Sequence, residues 1–139
     1  HRRRRLRRAA IQHKGPAVAA IPDPSASEHL ARDIVALAAG KKAEGIVVLS
    51  MDEAVSYTDF FVVVSGANPR QTRSIADEIQ RRLRPRHRPA RVEGEREGEW
   101  ILIDYVDVVV HIFTTAARDF YRLETLWGDV PRVDVSAGA

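Results

Sequence analysis

Trp100-Ile101-Leu102-Ile103-Asp104-Tyr105-Val106-Asp107-Val108-Val109-Val110-His111-Ile112-Phe113 is the stretch on which the reading of the fold turns. Two apolar runs, Trp100–Asp104 and Asp107–Phe113, have the length and β-branched content of buried strands. Tyr105-Val106 between them predicts a tight turn. Alternation along the first strand puts Trp100 and Leu102 on one face, and Ile101 and Ile103 on the other. Both faces are therefore apolar. Either the protein's own helices cover the strand twice, or one face meets another protein. Trp and Tyr at such an edge are favoured interface anchors, each able to contribute roughly 2 kcal/mol or more.

Upstream, Ser25-Ala26-Ser27-Glu28 is a capping box, in which hydroxyl and carboxylate can satisfy each other's backbone N–H groups. Leu30, Ile34, Leu37 and Ala38 continue it at helical spacing, and Gly40 offers a left-handed stop. Ile46–Leu49 and Asp59–Val64 predict two strands. Asn68 can then cap a helix with Pro69 at its first position and an Ile75, Ile79, Leu83 stripe, which Pro85 ends. A polar loop follows, with a short edge strand around Arg91–Glu93. After the Trp100 and Asp107 strands, Thr115 can cap a last helix, with Phe120, Leu123 and Leu126 or Trp127 facing inward before Gly128. The order α-β-β-α-β-β-α predicts an α/β fold of the α+β-like kind, a mixed sheet covered by helices.

The chain of 139 residues is 45% hydrophobic, enough for one domain with its own core. It holds no cysteine, which excludes disulfides, thiolate-held zinc or iron–sulfur clusters, and thiol catalysis. No apolar run approaches the roughly 20 residues of a membrane helix, so a soluble protein is expected. The net charge of +3 is unevenly spread. Residues 1–14 carry seven basic side chains and no acid, leaving 15 basic against 19 acidic residues elsewhere, a net of −4. A body of that sign suits a basic protein surface better than a phosphate backbone.

Residues 1–24, Arg-rich and punctuated by Pro16, Pro22 and Pro24, read as an arm outside the fold, and the start at His1 reads as a fragment boundary. A solvated arm, an RNA-binding arm and the remnant of a transit peptide all fit it; a secretory signal does not, for want of an apolar segment. The domain is expected over residues 25–130, with residues 131–139 as a tail. Arg outnumbers Lys 19 to 3, pointing to a GC-rich coding sequence and a bacterial cytoplasm.

Enzymatic chemistry finds little support. Small αβ domains of this order occur among nucleotidyltransferases, which need carboxylates converging on Mg²⁺. Asp104 and Asp107 are three apart across a turn, so they shape that turn, join a partner-binding surface, or converge only through special geometry. The five histidines show no i, i+4 pair, and a metal site is not expected. His111 is either a satisfied half-buried histidine or a polar contact on a recognition face. No serine elbow is present. Arg81, Arg82, Arg84, Arg86, Arg88 and Arg91 form an acid-free run that reads as a solvated helix end or as an RNA contact, although no aromatic is interleaved.

Five blocks in order carry a resemblance over Glu28 to Val133: Thr58-Asp59-Phe60-Phe61; Ser65 through Arg70-Gln71; Glu93-Gly94 followed by Trp100; Leu102-Ile103-Asp104 leading to Asp107-Val108-Val109-Val110-His111; and Arg118 through Trp127. Together they resemble the ribosomal silencing factor, or Iojap-like, family. The resemblance implies a nucleotidyltransferase-like fold without the catalytic set, no cofactor, and no enzymatic activity. It further implies binding to ribosomal protein fourteen of the large subunit, a block on joining of the small subunit under nutrient limitation, and a homodimer when free. Carried over residue by residue, it places Trp100, Ile101, Asp104, Tyr105, Asp107 and His111 at the ribosomal contact, with Glu93 and Asp59 behind them. The arm lies outside the family pattern, and Tyr105-Val106 stands where many members carry a small residue. The rival readings are a Mg²⁺-dependent nucleotidyltransferase and an RNA-binding module acting through the Arg-rich segments.

Overall fold

The computed structural model describes residues 25–122, 125 and 127–135. The arm (1–24), Leu123 and Leu126 fall outside the described residues. Within them run α1 (Ala26–Gly40), β1 (Glu44–Ser50), β2 (Phe60–Gly66), α2 (Pro69–Leu83), β3 (Arg91–Glu93), β4 (Trp100–Asp104), β5 (Val108–Thr114), α3 (Thr115–Tyr121) and β6 (Arg132–Val133). The strands form one mixed sheet in the order β3-β4-β5-β2-β1-β6. Its central pair, β2 and β5, is parallel, and every other neighbouring pair is antiparallel. A parallel pair requires a crossover, which α2 and the β3–β4 hairpin supply. The expected element order holds, with β3 as the predicted edge strand. Within the expected tail, Arg132–Val133 pairs with β1 and forms the opposite edge of the sheet.

Local chemistry explains the helix bounds. Ser25 Oγ accepts the Glu28 N–H at 3.1 Å, but Glu28 itself turns to Arg32 rather than closing the capping box. Gly40 is not the left-handed stop. The helix runs through it, and Lys42 takes the positive φ of 63°. The Lys42 and Ala43 N–H groups return to the Ala39 and Ala38 carbonyls and close the helix, and the Gln71 side chain donates to the Lys41 and Lys42 carbonyls just beyond it, at 3.2 and 3.1 Å. Asn68 caps α2 as expected, accepting from Gln71 N–H at 2.9 Å. Thr114, one residue before the predicted Thr115, caps α3.

Side chains alternate across the sheet into two clusters. Val62, Val64, Ile101, Ile103, Val108, Val110 and Ile112 meet Leu30 and Ile34 of α1, and Ile75, Ile79 and Leu83 of α2. On the other face, Leu49, Met51, Phe61, Val63, Val109 and Phe113 pack, among the described residues, against Ala117 of α3 and against Val55, Trp127 and Val130 from connecting segments. Phe120, expected inward, is 78% exposed. A seven-residue helix makes barely two turns, too few for its apolar positions to set its phase. No helix among the described residues is long and apolar enough to cross a membrane.

Candidate functional site

The sheet face turned away from α1 and α2 carries a connected set of rings. Trp100 lies 4.9 Å from Phe113, 5.5 Å from Tyr121 and 6.0 Å from His111, centroid to centroid. His111 stands 4.5 Å from Phe61 edge-on, and Trp127 packs within 5.2 Å of Phe61 and 5.7 Å of His111. The cross-strand register produces the cluster: Trp100 faces Phe113 and Leu102 faces His111 across the β4–β5 pair, while His111 faces Val63 across the β5–β2 pair. Trp100 is 38% exposed, Tyr121 49% and Tyr57 46%. Together they form an amphipathic aromatic surface over a buried sheet face, the composition of an interface core.

His111 is the buried polar group beneath those rings. The Trp100 indole N–H donates to His111 Nδ1 at 3.1 Å, so the neutral ring carries its proton on Nε2. Nε2 is buried with no hydrogen-bond partner among the described residues. Burial alone pushes the His111 pKa down to about 4, so the ring stays neutral at physiological pH. The Trp100 hydrogen bond reinforces this, because a protonated Nδ1 could not accept it.

Two backbone features hold the rings in place. Gly94 adopts φ +83°, and a side chain there would run into the Trp100 carbonyl, so this glycine sets how the hairpin enters β4. Arg118 of α3 is buried and donates to the Gly45 carbonyl at 2.6 Å and to Ser65 Oγ at 2.9 Å. This seats α3 across the ends of β1 and β2 and positions Tyr121.

The residues singled out from the sequence divide into three groups. Trp100 and Asp104 lie on the aromatic face, at opposite ends of β4 and roughly 13 Å apart along the strand. Glu93 is paired with Leu102 from the neighbouring β3. Ile101 and Tyr105 lie on the other side of the sheet: both are buried in the helix-side core, Ile101 completely. Burial pushes the Tyr105 hydroxyl pKa up to about 12, against a smaller opposing pull from Arg84. His111 and Asp59 are also buried. Asp59 accepts from Ser27 Oγ at 3.1 Å beside a cleft of about 200 Å³ at the start of α1, away from the rings.

The two acids of the turn are held by different partners. Asp104 Oδ1 accepts the Val106 N–H at 2.8 Å, and Oδ2 lies 3.5 Å from Arg91, so both oxygens are engaged. Asp107 gives its backbone carbonyl to the Asp59 and Phe60 N–H groups. Val106 completes the turn at φ 74°. Among the described residues, no group of three or more His, Asp or Glu side chains gathers where a metal ion could be held.

The model of a family described as ribosomal silencing factor during starvation matches residues 24–139. The chain belongs to the ribosomal silencing factor family. A ribosomal silencing factor from Halalkalibacterium halodurans is 40% identical over 96 residues, covering 68% of this chain and 82% of that protein. The crystal structure of a protein from Chromobacterium violaceum, 30% identical, superposes with a TM-score of 0.71 over 75% of this chain and 88% of its own. A mouse protein named for mitochondrial assembly of the ribosomal large subunit is 29% identical over 98 residues, and the match covers 43% of its length.

Family membership leaves the site itself to the geometry. Tyr57, Tyr121 and Trp127 complete the aromatic surface, and none of them stood out in the sequence as a surface residue. Tyr121 follows Phe120 in a helix whose phase its few residues could not reveal, and the approach of Trp127 to Phe61 spans 66 positions of sequence. An aromatic excess in the family block Phe120–Trp127 was the available signal.

Proposed function

We propose that the protein is a non-enzymatic translational repressor of the cytoplasm. It docks the aromatic sheet face onto ribosomal protein fourteen of the large subunit and so keeps the small subunit from joining when nutrients are short. The exposed aromatic surface around Trp100 carries this reading. Exposed Trp100 and Tyr121 provide anchors, while Asp104 and Glu93 provide an acidic border for a basic ribosomal protein. Charged rims of this kind speed encounter more than they set affinity. The free protein is expected to dimerise, and the same exposed rings are the surface a second copy would bury. Asp104, held by Val106 and Arg91, acts here as a rim group and not as a metal ligand.

Gradient co-sedimentation with purified large subunits tests the reading. The protein is expected to travel with the subunits and to reduce joining of added small subunits. Protein left at the top of the gradient at low salt and saturating subunit overturns it. Trp100→Ala is expected to weaken co-sedimentation at least tenfold. Because most of the Trp100 ring is packed, circular dichroism of the variant must show an intact fold, and Tyr121→Ala serves as a second, less buried probe of the same surface.

A further inference from the structure

The aromatic face leaves unexplained a second surface of opposite character. The segment that leaves α2 and reaches the sheet edge carries Arg81, Arg82, Arg84, Arg86, Arg88 and Arg91, all exposed. Nearby acids neutralise it only in part. Glu78 serves both Arg81 and Arg82, Asp33 stands 4.0 Å from Arg86, and Arg91 turns to Glu93 and Asp104. Arg84 and Arg88 have no carboxylate partner among the described residues. The backbone beneath them is fixed. Arg84 N–H donates to Gln80 O at 3.0 Å, Arg86 and His87 N–H both donate to Leu83 O, and Ala90 N–H donates to Asp104 O at 2.7 Å. The guanidinium groups are thus presented from an ordered turn that runs beside the β3 edge of the docking face.

Guanidinium groups are suited to phosphate oxygens, which they bind through paired donors. The segment offers His87 as its single ring and no Phe, Tyr or Trp, so it lacks the row of aromatic platforms on which successive unpaired bases stack, which disfavours single-stranded nucleic acid. Double-helical RNA is recognised through its phosphates and shape, without stacking. We propose that Arg81, Arg84 and Arg88, with Arg86 at their flank, form a docking surface for the phosphate backbone of duplex ribosomal RNA beside the protein contact. The identity of that RNA rests on the function proposed above; the chemistry of the surface does not.

The test uses the full chain and a 20-base-pair RNA duplex, followed by fluorescence anisotropy across a salt series. Each phosphate contact contributes about 0.9 to the slope of log affinity against log salt, a value established for B-form DNA. Replacing three contacts by Arg81→Ser, Arg84→Ser and Arg88→Ser together should therefore flatten the slope by roughly 2.7. Between 50 and 200 mM salt the unsubstituted protein should lose about 40-fold more affinity than the triple variant. All three side chains are exposed, so the thermal transition should stay in place. Serine replacement of the six arginines in residues 1–8 provides the comparison for the arm. Equal slopes for the triple variant and the unsubstituted protein, with binding lost only on substitution of the arm, overturn the proposal. So does an absence of duplex binding, or equal competition by a polyglutamate of matching charge. Large-subunit co-sedimentation is read in parallel. Subunit binding without duplex binding refutes this inference alone, whereas duplex binding without subunit binding refutes the docking function and the ribosomal identity of the RNA while leaving the phosphate surface in place.

Discussion

Lowering the pH should destabilise this fold through His111 in particular. The unfolded chain binds a proton on this ring near the ordinary histidine pKa of 6.5, whereas the folded chain resists protonation until about 4. Between those values the unfolded state holds more protons, so stability rises with pH across the window and is lost as pH falls through it. At 1.36 kcal/mol per unit, and allowing for half-protonation of the folded state at pH 4, the loss between pH 7 and pH 4 is about 3 kcal/mol. Some 1 kcal/mol of this should already be gone at pH 5.5. Urea unfolding at pH 7, 5.5 and 4 measures it, with His111→Gln as reference. Glutamine can still accept from the Trp100 indole and does not titrate, and carboxylates common to both proteins cancel in the difference. The two stability curves should converge by about 3 kcal/mol on going to pH 4. Parallel curves, or a His111 ring resonance titrating near 6.5, would refute the buried neutral histidine.

Three further substitutions probe what holds the aromatic face. Ile101→Ala should cost about 3 kcal/mol or more by thermal or urea unfolding, because its side chain is fully buried on the helix side. Its subunit affinity, measured where the variant is still folded, should stay within about threefold of the unsubstituted protein; a tenfold loss would return Ile101 to the contact. Gly94→Ala should cost about 2 kcal/mol or more in the same assay, since both its φ of +83° and the Trp100 carbonyl oppose a side chain; an unchanged midpoint would contradict the hairpin geometry. Arg118→Met should lower stability by about 2–3 kcal/mol by stripping donors from the Gly45 carbonyl and Ser65 Oγ. Faster amide exchange in α3 than in α2 of that variant would locate the damage.

The legible parts of the chain were those with local causes. The α2 cap and stripe could be read because Asn68, Pro69, Ile75, Ile79 and Leu83 act within a few residues of one another. The alternation of Trp100 through Ile103 was visible for the same reason. Gly40 misled because the helix closes two residues later, where Lys42 rather than a glycine takes the left-handed position and the Lys42 and Ala43 N–H groups return to the Ala39 and Ala38 carbonyls. Of the readings open for Asp104, the turn-shaping one was legible because an aspartate reaching an N–H two residues ahead is a local event.

Sequence alone determined the elements from α1 to α3, their order, the two-sided apolar character of β4, and the ordered blocks that mark the family, because each follows from spacing along the chain. Tertiary structure alone decided which side of β4 the helices cover. That choice buried Ile101 and Tyr105, left Trp100 at the surface, and placed His111 beneath it. The physical reason is that two apolar faces are equivalent until helices are packed on one of them, and that packing depends on contacts between residues far apart in sequence.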